Sequence, residues 1–334
     1  MQRRAETMQA LERIPVLDTG PAYPLETLQR EVARAHALID GATQHVPRAA
    51  LQMLDAVSRR WLARQDSAHL AEIDAVARRL HRPGAYFLSV NYEWGCTCRV
   101  GPAPDRQSAR LVRVLDWRTA GLGRYVVAAR VAAAPGPFVT LTWPGYTGVL
   151  QAMAPGRFAA ALNQAPMRAS VGNYYLDWAV NRGRVWRMRH LTPAHLLREV
   201  FETAASFAEA KRMLSERPIS TPAIFSLAGV RPGDTAVIER SETEARVHDG
   251  SNAAANHWQA AGWRGKARGN DSAGRARQMY GVPTELDARL PWLAAPILNA
   301  NTRLVMIADA AEGRLIAQGF EGMQAATEPL QLTT

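Results

Sequence analysis

The sequence predicts an α+β protein in which sheets pack face to face beneath covering helices. Three observations carry that expectation. Apolar residues recur at helical spacing through residues 24–82, and short β-branched and aromatic runs follow Gly84 without helices between them. Helix-period and strand-like runs then alternate towards the C-terminus. The main boundary falls after the helical first 85 residues, and no internal repeat or low-complexity tract interrupts the chain.

Taken in order, Leu25, Leu28, Val32, Ala35 and Leu38 recur at three and four residues, as do Leu51, Leu54, Val57 and Leu62. A third helical segment runs from Ser67 to Leu80 and stops before Pro83-Gly84. The runs YFLSVNY, CTCRV, ARLVRVLDW, RYVVAARVAAA, FVTLTW and GVLQAMA then read as strands of an antiparallel sheet. HLLREVFETAASFAEAKRML within 194–215 returns to the 3.6 period. AIFSLAG (223–229), TAVIERS (235–241) and ARVHDG (245–250) resume the strands. A short helix around 272–280 and a strand at TRLVMIAD (302–309) complete the reading.

Composition narrows the function classes. The chain has 334 residues, 47% hydrophobic and 21% charged, enough to bury a large core without covalent staples. Cys96 and Cys98 are its two cysteines, which excludes a disulfide scaffold. Arg, Pro or Gly interrupts every apolar run before it reaches a membrane span, and residues 1–20 lack a signal-peptide core. The expectation is a soluble, cytoplasmic protein. The net charge of +10 invites a nucleic-acid partner. Against it, Lys211 and Lys266 are the only lysines among 40 basic residues, the arginines are spread along the chain, and no nucleic-acid motif occurs. No nucleic acid is therefore expected as partner. His190 and His195 have the wrong offset for one helix face, and no HExxH, CxxC, GxGxxG or P-loop occurs, so neither metal nor cofactor is expected. His248 and His257 read as structural hydrogen-bonding groups.

The cysteines remain. On a strand, Cys96 and Cys98 point to the same face, where two small buried hydrophobes would be ordinary. The downstream order is less ordinary: RVLDW at 113–117, ALNQ at 161–164, ANHW at 255–258 and DSAGR at 271–275. That order resembles the N-terminal nucleophile (Ntn) cysteine hydrolases of the acid ceramidase and N-acylethanolamine acid amidase family, related to choloylglycine hydrolases and penicillin acylases. Cys96-Thr97 resembles the family's processed N-terminus, and Arg113-Val-Leu-Asp116 its Arg-Asn-x-Asp motif. GYTGVLQAMAPGRFAAALNQ (145–164) is similar to its Gly-Tyr-x-Gly strand, Pro-Gly turn and Leu-Asn strand. TPAIFSLAG (221–229), VIER (237–240), Asn256-His257-Trp258 and Ser272-Ala-Gly-Arg275 match later family segments, so the resemblance spans roughly residues 85–320.

The resemblance implies a four-layer αββα sandwich, with residues 1–95 as a helical segment that becomes a small subunit and 96–334 as the catalytic domain. Self-cleavage between Gly95 and Cys96 would give Cys96 a free α-amino group, whose reference pKa is about 8, to accept its own thiol proton. Arg113 would favour the thiolate, and Asp116 would accept a hydrogen bond from the ammonium. Asn256 would offer its NH2 to the oxyanion together with Asn163 or a backbone N–H. Arg275 would anchor the group. The implied reaction is hydrolysis of linear amides of N-acyl amines through a thioester, by an enzyme acting on carbon–nitrogen bonds other than peptide bonds. An acyltransferase, or a catalytically silent lipid- or anion-binding homologue, is the alternative.

Partners would be the N-acyl amide, the chain's own N-terminal fragment and, through the basic charge, the periphery of an anionic lipid surface. Trp94, Trp117, Trp143, Tyr146, Tyr174, Tyr175 and Trp178 could form an apolar acyl pocket, with Trp117 and Tyr146 selected because they adjoin the motifs. Two departures stand out. Gln164 replaces the family's Glu after Leu-Asn, and Val114 replaces Asn in the Arg-Asn-x-Asp motif.

Overall fold

The computed structural model describes residues 11–65, 69–90 and 94–334. A strand that the sequence did not predict comes first, β1 (Val16–Gly20). Helices α1 (Leu25–Arg30), α2 (Val32–Thr43), α3 (Arg48–Leu62) and α4 (His69–Leu80) follow as expected. Ser67 and Ala68, at the start of the expected third helix, lie outside the described residues, as do residues 1–10.

The described part of YFLSVNY, expected as a strand, is helical. Ala85–Ser89 form a short helix, α5, and Asn91–Glu93 lie outside the described residues. The reason comes from elsewhere in the chain. The buried Asp55 carboxylate on α3 accepts hydrogen bonds from the Gly84 and Phe87 N–H groups, at 2.6 and 2.9 Å, and so satisfies orphan donors at the start of α5. Gly84 enters the helix at φ 126°, a conformation that favours glycine.

The strands then run as β2 (Trp94–Pro102), β3 (Ala109–Trp117), β4 (Val127–Val131), β5 (Phe138–Thr142), β6 (Gln151–Ala154) and β7 (Phe158–Gln164). Next comes α6 (Tyr174–Arg187), which the apolar spacing did not reveal; the Asn173 side chain caps it by accepting from the Tyr175 and Leu176 N–H groups. The helical stretch at 194–215 divides into α7 (Pro193–Thr203) and α8 (Phe207–Glu216). Thr192 caps the first and Ser206 the second, and the Ser206 cap sets the break. Strands β8 (Ala223–Ala228), β9 (Thr235–Arg240), β10 (Ala245–Asp249) and β11 (Asn252–Ala254) lead to α9 (Ser272–Tyr280). β12 (Thr302–Asp309), β13 (Arg314–Glu321) and two short strands, Gln324–Ala325 and Leu330–Thr333, close the chain.

Among the described residues one sheet has the order β1-β4-β5-β6-β7-β8-β9-β10, and the other contains β11-β2-β3-β12-β13. Pairing within these sheets is antiparallel except that β1 runs parallel to β4. The two sheets pack face to face through β2, β3, β7 and β8, with α7 and α8 outside the first and α9 outside the second. This is the expected α+β sandwich of helix, sheet, sheet and helix. Side-chain alternation decides what faces inward. Cys96, Cys98, Val100, Leu111 and Leu115 join the large core between the sheets, whereas Val112 and Val114 pack outward with Met279 of α9. Arg113 shares the inward face of β3 with Leu111 and Leu115, so a guanidinium is placed inside the sandwich. Among the described residues before β2, the regular elements are helices apart from β1, and that strand joins the segment to the larger sheet.

Candidate active site

Cys96 lies near the start of β2, fully buried, opposite Leu115, while its neighbours Gly95 and Trp94 pair with Asp116 and Trp117. Every polar atom of this residue is engaged. Arg113 Nη2 donates to Cys96 Sγ at 2.9 Å, and its Nη1 donates to the Leu150 carbonyl at 2.7 Å. The Cys96 N–H donates to Asn256 Oδ1 at 2.8 Å, and the Cys96 carbonyl accepts from Arg275 Nη1 at 2.9 Å. Burial pushes the Cys96 thiol up to about 12, and the attraction of Arg113 offsets this only in part.

Arg275 is the hub. Beyond the Cys96 carbonyl it donates to Thr97 Oγ1 at 2.7 Å and to Asn256 Oδ1 at 3.1 Å, and it pairs with Asp116 Oδ2 at 3.5 Å. α9 delivers it from a start defined by Asp271, which caps the helix through Gly274 N–H. Asp116 also accepts from Asn299 Nδ2 and Thr302 Oγ1, each at 3.0 Å. Burial raises its carboxyl pKa against the pull of Arg275.

The Asn256 amide orientation follows from its neighbours, because only an oxygen can accept from both the Cys96 N–H and Arg275. Its NH2 group then donates to the Gln164 carbonyl at 2.8 Å. Ser272 Oγ, on the first residue of α9, accepts from Asn256 N–H at 2.8 Å and so ties this loop to the helix bearing Arg275. Asn163 serves the second cysteine. Its Oδ1 accepts from Cys98 Sγ at 3.0 Å, and its Nδ2 donates to the Ala254 and Ala255 carbonyls at 3.2 and 3.3 Å. Gln164 Oε1 accepts the Trp94 N–H at 3.0 Å, two residues before Cys96.

The structure thus gathers Cys96, Arg113, Asp116, Asn256 and Arg275, with Gly95 against Asp116 and Asn163 one contact further out. Asn299 and Thr302 join them without having been expected. Thr97 and Ser272 lie inside motifs of the sequence, but nothing there gave either a role, and no spacing marks Asn299 or Thr302 as partners of Asp116.

Beside this cluster opens a cleft of about 560 Å³. Trp94, Leu162, Asn163 and Gln164 form its inner wall, α3 and α5 contribute Leu54, Trp61 and Phe87, and α6 contributes Trp178 and Trp186. Trp117 and Tyr146 lie behind that wall in a chain of aromatic contacts. Trp94 to Trp117 is 4.9 Å between ring centroids, Trp117 to Trp143 6.1 Å and Trp143 to Tyr146 6.2 Å. Trp94 and Trp178 are the aromatic residues of the expected pocket that reach the cleft; Trp117 and Tyr146 pack in the core.

A buried cysteine, its Sγ met by a strand-borne arginine between the sheets and its carbonyl by an arginine of the covering helix α9, marks the centre of the site. By sequence the chain is similar to acid ceramidase. The Homo sapiens protein is 34% identical over 110 residues, covering 32% of this chain and 26% of that one, and the Mus musculus protein is 32% identical over the same length. The match thus spans about a quarter of the length of those relatives. No family model matches the chain. Among solved structures, the Caenorhabditis elegans N-acylethanolamine-hydrolyzing acid amidase ortholog aligns at TM-score 0.49 with 18% identity, covering 71% of this chain and 100% of that one. A point mutant of the conjugated bile acid hydrolase from Clostridium perfringens aligns at 0.39 with 10% identity, covering 72% and 97%.

Proposed function

We propose that this chain is a self-processing cysteine amidase that cuts before Cys96 and then hydrolyses linear amides of N-acyl amines. One observation carries the reading: the Sγ, N–H and carbonyl of Cys96 are each held by a separate side chain, Arg113, Asn256 and Arg275. A cysteine that merely filled the core would need none of them.

In the uncut chain the thiol has a cation beside it and no base. Arg113 cannot accept its proton, and burial keeps the thiol protonated. Cleavage changes this. Sγ adds to the Gly95 carbonyl carbon, the bond to Cys96 N breaks, and the thiol proton passes to that nitrogen. Water then hydrolyses the thioester, leaving a Gly95 carboxylate and a free Cys96 amine with a reference pKa of about 8. Asn256 Oδ1, already on the Cys96 nitrogen, and Asp116, opposite Gly95, are placed to accept hydrogen bonds from the resulting ammonium. The new chain end carries Trp94, so its movement would open Sγ towards the cleft.

Turnover reuses the same groups. The amine takes the thiol proton, Sγ attacks the acyl carbon, and the departing amine receives the proton. Water hydrolyses the acyl thioester. The apolar wall of the cleft suits an acyl chain. The test is release of free acid from an N-acyl amide, with the acyl thioester on Cys96 trapped by rapid acid quench and mass analysis. An acyl adduct on Cys96 supports the reading; hydrolysis retained by Cys96→Ala removes it.

A further inference from the structure

The register of β12 on β3 breaks at Asp116. Leu304 pairs with Leu115, and an uninterrupted ladder would set Arg303 opposite Asp116; an extra residue on β12 brings Thr302 there instead. The displaced Arg303 donates to the Thr119 and Thr302 carbonyls at 2.7 and 3.0 Å and lies 3.8 Å from Glu321. A hydroxyl thus stands where a regular ladder would put a guanidinium.

The turn that opens β12 engages both oxygens of Asp116. Thr302 Oγ1 accepts from the Asn299 N–H at 3.0 Å, which leaves its own proton for Asp116 Oδ1, also at 3.0 Å. Asn299 Oδ1 accepts from the Asn301 N–H at 2.9 Å, which turns its NH2 group to Asp116 Oδ2 at 3.0 Å. The Asn301 carbonyl accepts from the Trp117 N–H at 2.7 Å and so ties the turn to β3. Arg275 reaches Oδ2 only at 3.5 Å, with the nitrogen that already serves the Cys96 carbonyl and Thr97 Oγ1. The carboxylate so held adjoins the bond to be cut. A methyl group on Gly95 would lie 3.6 Å from Asp116 Oδ2 and 3.7 Å from Asn256 Oδ1.

Resting on the amidase reading, we propose that Asn299 and Thr302 are positioning residues, which fix the Asp116 carboxylate against the amine released at Cys96 without cancelling its charge. Neutral donors orient an anion and leave it free to pair with an ammonium, whereas an arginine opposite would compete for it. Their hydrogen bonds also work against the burial that raises the Asp116 carboxyl. Among the described residues, the charged and titratable groups that face Asp116 are Arg275 of α9, Arg113 of β3, Arg303 of β12 and the Cys96 thiol on β2. Among those same residues, neither Asn299 nor Thr302 belongs to the cleft wall, so both act on Asp116 and not on bound substrate.

The test measures kcat and KM against pH on dodecanoyl para-nitroanilide. The cut fraction of each chain is read by intact mass, kcat is referred to it, and thermal melting checks the fold. Asn299→Asp keeps the acceptor for the Asn301 N–H but sets a second carboxylate beside Asp116. An added anion favours the protonated forms of both the amine and Asp116, so kcat should fall off about one pH unit sooner towards acid. Thr302→Val should lower kcat about tenfold, the scale of one hydrogen bond to a charged group, with KM near that of wild type. Thr302→Ser, which keeps the hydroxyl, should recover most of that loss. An acid limb that stays in place in Asn299→Asp, or a Thr302→Val variant that melts earlier yet keeps kcat, overturns the positioning role and leaves the amidase standing. A folded wild-type chain that turns over no anilide, whether cut or not, removes the amidase and the positioning role with it.

Discussion

Arg113 holds an unusual position. A guanidinium with no exposure lies between two sheets, where an unpaired charge costs several kcal/mol. Its two terminal nitrogens reach Cys96 Sγ and the Leu150 carbonyl, so among the described residues no carboxylate is a hydrogen-bond partner. Such an arrangement stabilises the molecule most once the sulfur becomes an anion. Arg113→Gln should therefore lower kcat by roughly 10- to 100-fold, the scale of one charge-assisted hydrogen bond, while thermal melting stays near that of wild type. A variant that melts much earlier yet retains kcat would make Arg113 a packing residue. Cys96, Arg113 and Asp116 stood out in the sequence through the order Cys-Thr, then Arg-Val-Leu-Asp, which resembles a family motif; the register of β2 on β3 then brings them together. Asn299 and Thr302, which hold Asp116, were not, because Asn299 lies in an irregular loop and β12 reads only as an apolar run. Trp117 read as a pocket residue because it adjoins the motif; strand pairing instead places it behind Trp94.

At the scale of elements, α4 and α7 meet through a polar core that responds to pH. His195 is buried on α7, its ring held by Thr147 Oγ1 at 2.9 Å and Thr192 Oγ1 at 3.0 Å, and it stacks on His69 of α4 at 4.5 Å. Arg198 Nη2 donates to Glu72 Oε1 at 2.8 Å, joining the same helices. Burial, with His69 and Arg198 nearby, holds the His195 pKa well below its usual 6.5. Burial alone would raise the Glu72 carboxyl, but its bonds to His69 and Arg198 outweigh this and hold it below the usual 4.5. Both signs agree. As pH falls below 6.5 the unfolded chain protonates His195 while the folded one resists, and below 4.5 the same holds for Glu72, so stability is lost towards acid. Melting temperature should fall between pH 7.5 and 5.5, and His195→Asn should flatten that dependence; an unchanged slope would mean that His195 does not set it. None of this was visible in the sequence, where His195 read only as the wrong offset from His190. α5 was missed for a similar reason, since its capping carboxylate, Asp55, lies on another helix.

Across the whole molecule, the N-terminal segment is bound to the body by several independent contacts. β1 pairs in parallel with β4, and the Tyr23 hydroxyl donates to the carbonyls of Tyr146 and Gly148, both at 2.9 Å. Trp61 Nε1 donates to the Val185 carbonyl at 2.9 Å, and α3 and α5 supply one wall of the cleft. Cleavage before Cys96 should therefore leave one particle. The two fragments should co-elute in native size-exclusion chromatography and separate only under denaturing conditions; a released N-terminal fragment would detach the cleft wall from the proposed site. The basic charge, which first suggested nucleic acid, includes Arg113 at the Cys96 thiol, Arg275 at the Cys96 carbonyl and four arginines on the cleft. The layered sheets were legible because strand runs and helix runs alternate with clear punctuation. The strand that ties the two segments together was not, because VLDTG carries only two apolar residues.

The most direct measurement is the intact mass of the purified chain beside its Cys96→Ala variant. Two fragments are expected in the wild type, one ending at Gly95 and one beginning at Cys96, and a single uncut chain in the variant. An uncut wild-type chain after incubation across acidic and neutral pH would contradict self-processing. Cys96 would then keep an amide nitrogen, its thiol would have no base, and the self-processing amidase would be withdrawn.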